Sequence, residues 1–147
     1  MIQRELLIGR AAGASLFPIY QEGLTPQAQC EQLSARLDGL TWPASIALLG
    51  MGEDGHIASL FPDAACLEKG LDLDNPERCL AVETAASPHP RISLTLSTLV
   101  RSREILLLFF GEAKQRVFEN ARQAGADYPV SSLLRQDVAP VRVIWAP

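Results

Sequence analysis

The stretch SIALLGMGEDGHIASLFP, residues 45–62, joins an uninterrupted apolar run to a polar turn. Residues 46–49 show no alternation with polar residues and end at Gly50, which predicts a short strand buried on both faces. Gly50 and Gly52 let the backbone turn sharply or approach a ligand closely, because neither carries a Cβ atom. In an open α/β sheet, ligands bind beyond the carboxyl ends of the strands. The stretch therefore predicts a binding site directly after a central strand.

Helix and strand patterns alternate along the rest of the chain. Thr25-Pro26 is typical of a helix start and Gly39 of its end. Further helices are predicted at 4–7, 111–125 and 129–135, and a turn or short helix at 96–101. Strands are predicted at 80–82, at 91–96 with one polar face, at 104–110 and at 141–145. The pattern predicts one α/β domain over residues 1–147, with a Rossmann-like, mainly parallel twisted sheet flanked by helices.

Composition and charge exclude several classes of partner. The formal net charge is −4 and 20% of the 147 residues are charged, with no basic cluster, which disfavours nucleic acid and anionic membranes as partners. The longest apolar run, residues 105–110, is too short to cross a bilayer, and the N-terminal residues lack the apolar core of a signal peptide. We therefore expect a cytoplasmic protein.

The cysteines and the acidic residues indicate neither a disulfide framework nor a metal site. Cys30, Cys66 and Cys79 are an odd, widely spaced set without a Cys-x-x-Cys pair, and we interpret them as partly buried thiols in a reducing compartment. A metal site needs at least three converging ligands, whereas Asp54 and His56 supply two. The sequence predicts no metal and no cofactor.

Three segments carry a resemblance to one family. GMGEDGHIASLFP at 50–62 closely resembles the signature of the 6-phosphogluconolactonases, a family that shares its fold with the glucosamine-6-phosphate deaminases. SPHPRISLT at 87–95 resembles the family's Pro-x-x-Arg-Ile-Ser/Thr-Leu-Thr segment, and Gly111 with Lys114 resembles its later Gly-x-x-Lys. The resemblance spans the whole chain but only about the last three-fifths of a usual member. It implies that the family's N-terminal portion, with a Ser-Gly-Gly-Ser phosphate loop, lies outside this sequence.

The resemblance implies a reaction and a set of site residues. Members of the family hydrolyse 6-phospho-D-glucono-1,5-lactone to 6-phosphogluconate in the oxidative pentose phosphate pathway. His56 is implied as the general base for water, a role suited to imidazole because it titrates near neutral pH as a residue type. Asp54 either orients the His56 ring or only caps the turn. The implied substrate-binding residues are Gly50, Gly52, Gly55, Arg91 and Lys114, the last two as phosphate contacts.

Two alternatives remain. The glucosamine-6-phosphate isomerases/deaminases share Asp-Gly-His-Ile-Ala, found here at 54–58, but continue with Phe-Asn-Glu-Pro, where this chain has Ser-Leu-Phe-Pro at 59–62. The other alternative is a catalytically silent truncated fragment. A parallel sheet that lacks neighbouring strands exposes backbone and apolar surface, so we also expect self-association through that surface.

Overall fold

Six helices and five strands form the fold of residues 2–147, the part of the chain that the structure, a computed structural model, describes. The helices are α1 (Ile2–Glu5), α2 (Pro26–Asp38), α3 (Leu67–Leu71), α4 (Leu96–Leu99), α5 (Glu112–Ala121) and α6 (Pro129–Arg135), with a 3-10 turn at Gly9–Ala11. The strands are β1 (Ala47–Gly50), β2 (Cys79–Val82), β3 (Arg91–Leu94), β4 (Ile105–Phe110) and β5 (Val141–Ala146). The α/β prediction is confirmed.

The strands form two separate sheets. β1, β4 and β5 are parallel in the order β1-β4-β5, with Leu48 opposite Leu106 and Leu107 opposite Val143. β2 and β3 form an antiparallel pair. Because β1 and β4 run in the same direction, the segments that follow them both leave the sheet at the carboxyl end of its strands. This topology places residues after Gly50 near residues after Phe110.

One face of the parallel sheet holds the main core. Leu49, Ile105, Leu107 and Phe109 alternate along β1 and β4 and are buried. Val130 and Leu133 of α6 are fully buried in the same cluster, and Val117 and Phe118 of α5 pack against it. Side chains at every second position of a strand point to the same face, so a continuous apolar sequence supplies one side of this core.

Helix α2 covers the antiparallel pair and confirms the helix predicted from Thr25-Pro26. The Thr25 hydroxyl accepts a hydrogen bond from the Ala28 N–H at 3.2 Å, and Gly39 ends the helix. Cys30, Leu33 and Leu37 lie on one face and are buried with Cys79 of β2. An N-cap bond of this kind satisfies one of the backbone donors that a helix start leaves free.

The three thiols are free, as expected of unpaired cysteines. Cys30 and Cys79 are buried, and Cys66 is half-buried. Burial, followed by the neighbouring Cys79 thiol, raises the pKa of the Cys30 thiol to about 12. Burial also raises the pKa of Cys66. Both thiols therefore stay protonated at neutral pH, which makes them poor nucleophiles.

The prediction that strand β1 is buried on both faces is wrong. Leu49 is 7% exposed, but Leu48 on the opposite face is 64% exposed and Ile46, just before the strand, is 53% exposed. The reason is that helices α5 and α6 cover only the face that carries Leu49 and Leu107. A run of apolar residues indicates that a strand favours burial on both faces, but it does not show which helices or strands cover those faces.

The strand predicted at 91–96 ends at Leu94, and its polar face is mostly buried. Ser93 is 2% exposed and donates a hydrogen bond to the Leu94 carbonyl at 3.0 Å. Thr95 is buried as the N-cap of α4, where its hydroxyl accepts from the Thr98 N–H. Small hydroxyl residues can be buried when they find partners nearby. Two boundaries also differ, since α1 covers Ile2–Glu5 rather than 4–7, and α5 ends at Ala121 rather than near 125.

Candidate active site

The segment after β1 folds back on itself as a tight loop. Met51 pairs with Ile57 in an antiparallel bridge, and the Gly52 N–H donates to the His56 carbonyl at 2.9 Å. Within the loop that this hydrogen bond closes, the Gly55 N–H donates to the Gly52 carbonyl at 3.1 Å. Gly55 has a φ of +78°, a conformation that glycine adopts without steric cost. The loop therefore depends on glycine where the chain reverses.

Asp54 and His56 form a hydrogen-bonded pair within this loop. One carboxylate oxygen of Asp54, Oδ1, lies 2.6 Å from Nδ1 of the His56 ring and accepts the His56 backbone N–H at 3.1 Å. Because an ionised carboxylate has no proton to donate, this contact assigns the ring proton to Nδ1 and leaves Nε2 free to accept one. Asp54 thus contacts both the backbone of the turn and the ring, and its role in orienting the ring for a reaction stays a prediction.

The ring of Phe61 packs against the His56 ring. The ring centroids lie 4.2 Å apart with an interplanar angle of 36°, and Phe61 is 9% exposed. Its other neighbours include Val82 and Ala64, which form a small apolar cluster. The imidazole is therefore held by a carboxylate at Nδ1 and by an aromatic ring at its face. Sequence analysis did not single out Phe61, although it belongs to the Ala-Ser-Leu-Phe-Pro string of the first motif.

Tyr128 packs against the loop at Gly55. A Cβ atom placed on Gly55 would lie 2.7 Å from the Tyr128 Cδ1 atom, which is closer than real side chains approach. The Val130 N–H, in the first turn of α6, donates to the Gly55 carbonyl at 2.9 Å. Gly55 is therefore required for close packing as well as for its φ angle. Nothing in the local sequence around Tyr128 indicates this contact, because it joins distant parts of the chain.

Lys114 lies in the same depression as His56. This cavity of about 290 Å³ is lined by Gly50, Gly52, His56 and Lys114, together with Leu48, Leu49, Met51 and Ala58. Lys114 occupies the first turn of α5, and Gly111 precedes that helix without a side-chain cap. His56 and Lys114 come together because β1 and β4 pair in parallel. The loop after β1 and the helix after β4 therefore both lie at the carboxyl end of the strands. Four of the seven predicted site residues are thereby brought together.

Arg91 lies outside that cavity. It lines a neighbouring depression with Ser59, Tyr20 and Gln29, and its Nε donates to the Ser87 hydroxyl at 2.8 Å. Its side chain is exposed. Consecutive residues line the two depressions, Ala58 the first and Ser59 the second. All five predicted substrate contacts stay predictions, and Gly55 is observed in contact with Tyr128 and α6.

Asp63 ties the end of the motif to the segment after β2. Its carboxylate accepts the Thr84 hydroxyl at 2.6 Å and the Ala85 N–H at 2.8 Å. These bonds, the Thr84 hydroxyl first, hold the pKa of the Asp63 carboxyl below its usual range, because they stabilise the charged form. The loop that follows His56 and Phe61 is thereby attached to the antiparallel pair.

No three histidine, cysteine or acidic side chains within residues 2–147 converge in a way that could hold a metal ion. Among the helices described there, none combines the length and the apolar character that crossing a bilayer requires.

Comparison with known proteins agrees with these features. The family described as glucosamine-6-phosphate isomerases/6-phosphogluconolactonase matches residues 1–145. A 6-phosphogluconolactonase of Caulobacter vibrioides is 39% identical over 99% of this chain and 62% of the relative, and one of Rhizobium meliloti is 34% identical over 100% and 64%. The crystal structure of a 6-phosphogluconolactonase from Shewanella baltica superposes with a TM-score of 0.92 at 32% identity, over 99% of this chain and 63% of that one.

The chain spans about three-fifths of the length of the curated relatives that it matches. The matches nevertheless extend over almost all of its own residues, including the Asp54–His56 loop and the helix that bears Lys114. This chain belongs to the glucosamine-6-phosphate isomerase/6-phosphogluconolactonase family.

Proposed function

We propose that this chain carries the water-activating part of a 6-phosphogluconolactonase, which hydrolyses 6-phospho-D-glucono-1,5-lactone to 6-phosphogluconate. The observation that carries the proposal is the Asp54–His56 pair in a cavity that Lys114 also lines. The relatives that match the chain at 34–39% identity bear the same name. A base and a cation at one cavity suit a substrate that has an electrophilic carbonyl and a phosphate.

In this mechanism His56 acts first as a base and then as an acid. Nε2 takes a proton from water while the water oxygen attacks the lactone carbonyl, forming a tetrahedral intermediate. The intermediate collapses by breaking the bond between the carbonyl carbon and the ring oxygen, and the imidazolium returns its proton to that leaving oxygen. Asp54 stabilises the imidazolium between the two steps through the contact at Nδ1. The product forms as the carboxylic acid and releases its proton to solvent, so atoms and charges balance with one water consumed and His56 regenerated.

Lys114 is the favoured phosphate contact. An ammonium group attracts a doubly charged phosphate as a compact charge, and the first turn of α5 adds free backbone N–H groups. Arg91 serves the same substrate only if the ligand reaches the adjoining depression. The order of importance that we propose is therefore Lys114 before Arg91.

The first experiment measures lactone hydrolysis by this chain, with the lactone generated in situ and the spontaneous rate subtracted. His56→Ala should lower the enzymatic rate by at least about 100-fold, the contribution typical of a positioned base. His89→Ala is the matched control, since His89 is the other histidine and lies exposed in a loop. Full activity in His56→Ala would refute the role of His56. A folded chain, checked by circular dichroism, with no rate above background would instead favour the silent fragment.

The second experiment tests the phosphate contact. Lys114→Ala should raise KM by about 10-fold or more with a smaller change in kcat, since a remote binding charge is lost. Arg116→Ala is the control, because Arg116 belongs to the same helix and its side chain is 71% exposed. An equal or larger effect of Arg91→Ala would reverse the proposed order.

We also propose that residues 1–147 act as one cytoplasmic α/β domain without a cofactor, a nucleic-acid partner or a membrane partner. The support is compositional, since the net charge is −4 and the sequence has no basic cluster.

A further inference from the structure

Helix α5, which carries Lys114, is joined to β4 by a glycine in a rare backbone conformation. Gly111 has a φ of +85° and a ψ of 155°, a combination that essentially only glycine adopts. Among the described residues, no atom beyond its chain neighbours lies within 4 Å of where a Cβ on Gly111 would be. Side-chain packing therefore does not fix this conformation. Since such a conformation persists only where the surrounding structure holds it, hydrogen bonds must hold the start of α5.

Both backbone groups of Gly111 are bonded to strand β5. Its N–H donates to the Ala146 carbonyl at 2.9 Å, and its carbonyl accepts the indole Nε1–H of Trp145 at 3.2 Å. The same carbonyl accepts the Gln115 N–H at 3.2 Å, the first hydrogen bond of the helix. Trp145 thus attaches the first turn of α5 to the strand beside β4.

Strand register brings the indole to the start of α5. Trp145 lies opposite Phe109 in the parallel pairing of β4 with β5, so both side chains are on the face of the sheet that α5 covers. Trp145 is 38% exposed and lies outside the main core. A phenylalanine could cover the same position, but it carries no N–H donor. The hydrogen bond to Gly111 is therefore what the indole specifically contributes.

We propose that Trp145 is a positioning residue for the phosphate contact and acts on Lys114 through Gly111. The inference rests on the proposed function, in which Lys114 and the first-turn N–H groups of α5 bind the phosphate of the lactone. With Gly111 held on both sides, Lys114 keeps one orientation toward the His56 cavity. Without the indole bond the junction visits other glycine conformations, and the apparent dissociation constant rises because only a fraction of the molecules can bind.

The test is the binding of inorganic phosphate to the full chain, followed by NMR through the amide signals of residues 112–114. Trp145→Phe keeps an aromatic ring and should raise the dissociation constant about 3-fold or more, the effect of one lost hydrogen bond. Lys114→Ala should raise it about 10-fold or more, because a charged partner is lost. In the lactonase assay, Trp145→Phe should raise KM and leave kcat near the parent value.

Trp42→Phe is the matched control. Trp42 is the other tryptophan of the sequence, and its Nε1–H donates to the Leu37 carbonyl at 2.8 Å, near the end of α2. This variant loses an indole hydrogen bond of the same kind, but away from α5, and should bind phosphate as the parent does. Far-ultraviolet circular dichroism checks that each variant is folded.

A second measurement needs no substitution. Coupling between a bound ligand and a structural equilibrium is reciprocal, so phosphate should stabilise the indole bond in turn. In the parent chain, hydrogen exchange of the Trp145 indole N–H should slow about 3-fold or more at saturating phosphate, since a bonded proton must open before it exchanges. The indole N–H of Trp42 should exchange at an unchanged rate.

The outcomes separate this inference from the proposed function. Folded Trp145→Phe that binds phosphate like the parent, while Lys114→Ala binds it weakly, would overturn the inference alone. Equal weakening in Trp145→Phe and Trp42→Phe would do the same, as would an unchanged exchange rate of the Trp145 indole at saturation. If the parent bound no phosphate, or Lys114→Ala bound it equally well, the phosphate contact of the proposed function would fail, and the inference with it.

Discussion

A single oxygen of Asp54 serves both the backbone and the ring of His56, at 3.1 Å from the His56 backbone nitrogen and 2.6 Å from Nδ1. The turn and the orientation of the imidazole therefore cannot be changed separately by removing the side chain. They can be separated by removing only its charge, because asparagine keeps the acceptor oxygen.

Asp54→Asn should lower kcat for lactone hydrolysis by at least about 10-fold, with KM little changed, because the amide does not stabilise the imidazolium. Asp54→Ala should show the same kinetic loss and also cost about 1 kcal/mol of unfolding free energy, since the turn loses its acceptor. Urea denaturation separates the two variants. If Asp54→Asn kept full kcat while Asp54→Ala were destabilised, Asp54 would only cap the turn.

Gly52→Ala should disrupt the Asp54–His56 contact. A Cβ atom on Gly52 would overlap the His56 ring and the Asp54 carboxylate. The NMR signal of the His56 Nδ1 proton should shift or vanish, because the two groups must move apart. Gly50→Ala is the control, since its Cβ would meet only the Leu108 carbonyl, at 3.9 Å. An unchanged Nδ1 signal in Gly52→Ala would show that the ring is held differently.

Gly55→Ala should destabilise the fold more than Gly125→Ala. The two glycines have nearly equal φ angles, +78° and +80°, but only the Gly55 site is crowded, by Tyr128 at 2.7 Å. Each substitution should cost about 1 kcal/mol or more for the left-handed conformation. The additional loss of unfolding free energy in Gly55→Ala then measures the clash with Tyr128. Chemical denaturation measures the unfolding free energy of both variants. Equal losses would mean that Tyr128 moves away freely.

Phe61→Leu should lower kcat more than it raises KM, because the face of the His56 ring loses the aromatic side chain that lies 4.2 Å away. The loss of a buried ring should also cost roughly 1–3 kcal/mol of unfolding free energy. Phe118→Leu is the control, since Phe118 packs on Phe109 in the core, with ring centroids 5.4 Å apart. That variant should lose stability while its kcat stays near the parent value. A parallel fall of kcat in both variants would mean that lost stability, not ring orientation, explains the effect.

Local signals in the sequence determined much of the fold. The helix of residues 26–38 was predictable because Thr25, Pro26 and Gly39 act on their immediate neighbours in the chain. Strand β4 and helix α6 were predictable for the same reason, since a continuous apolar run and a Pro-led segment are short-range patterns. The Asp54–His56 pair also lies within one loop, so its residues could be identified from the motif alone.

The contacts of the site depend on which elements become neighbours, and only the tertiary structure decided them. Lys114 reaches the His56 cavity because β4 pairs with β1, whereas Arg91, on the separate antiparallel pair, opens to an adjoining depression. Tyr128 contacts Gly55 only because α6 packs under the loop. The exposure of Leu48 follows likewise from the packing of the helices, which cover only the opposite face of the sheet. Backbone propensity and turn chemistry act between residues close in sequence, but burial and cavity lining depend on packing between distant elements, which no short stretch encodes by itself.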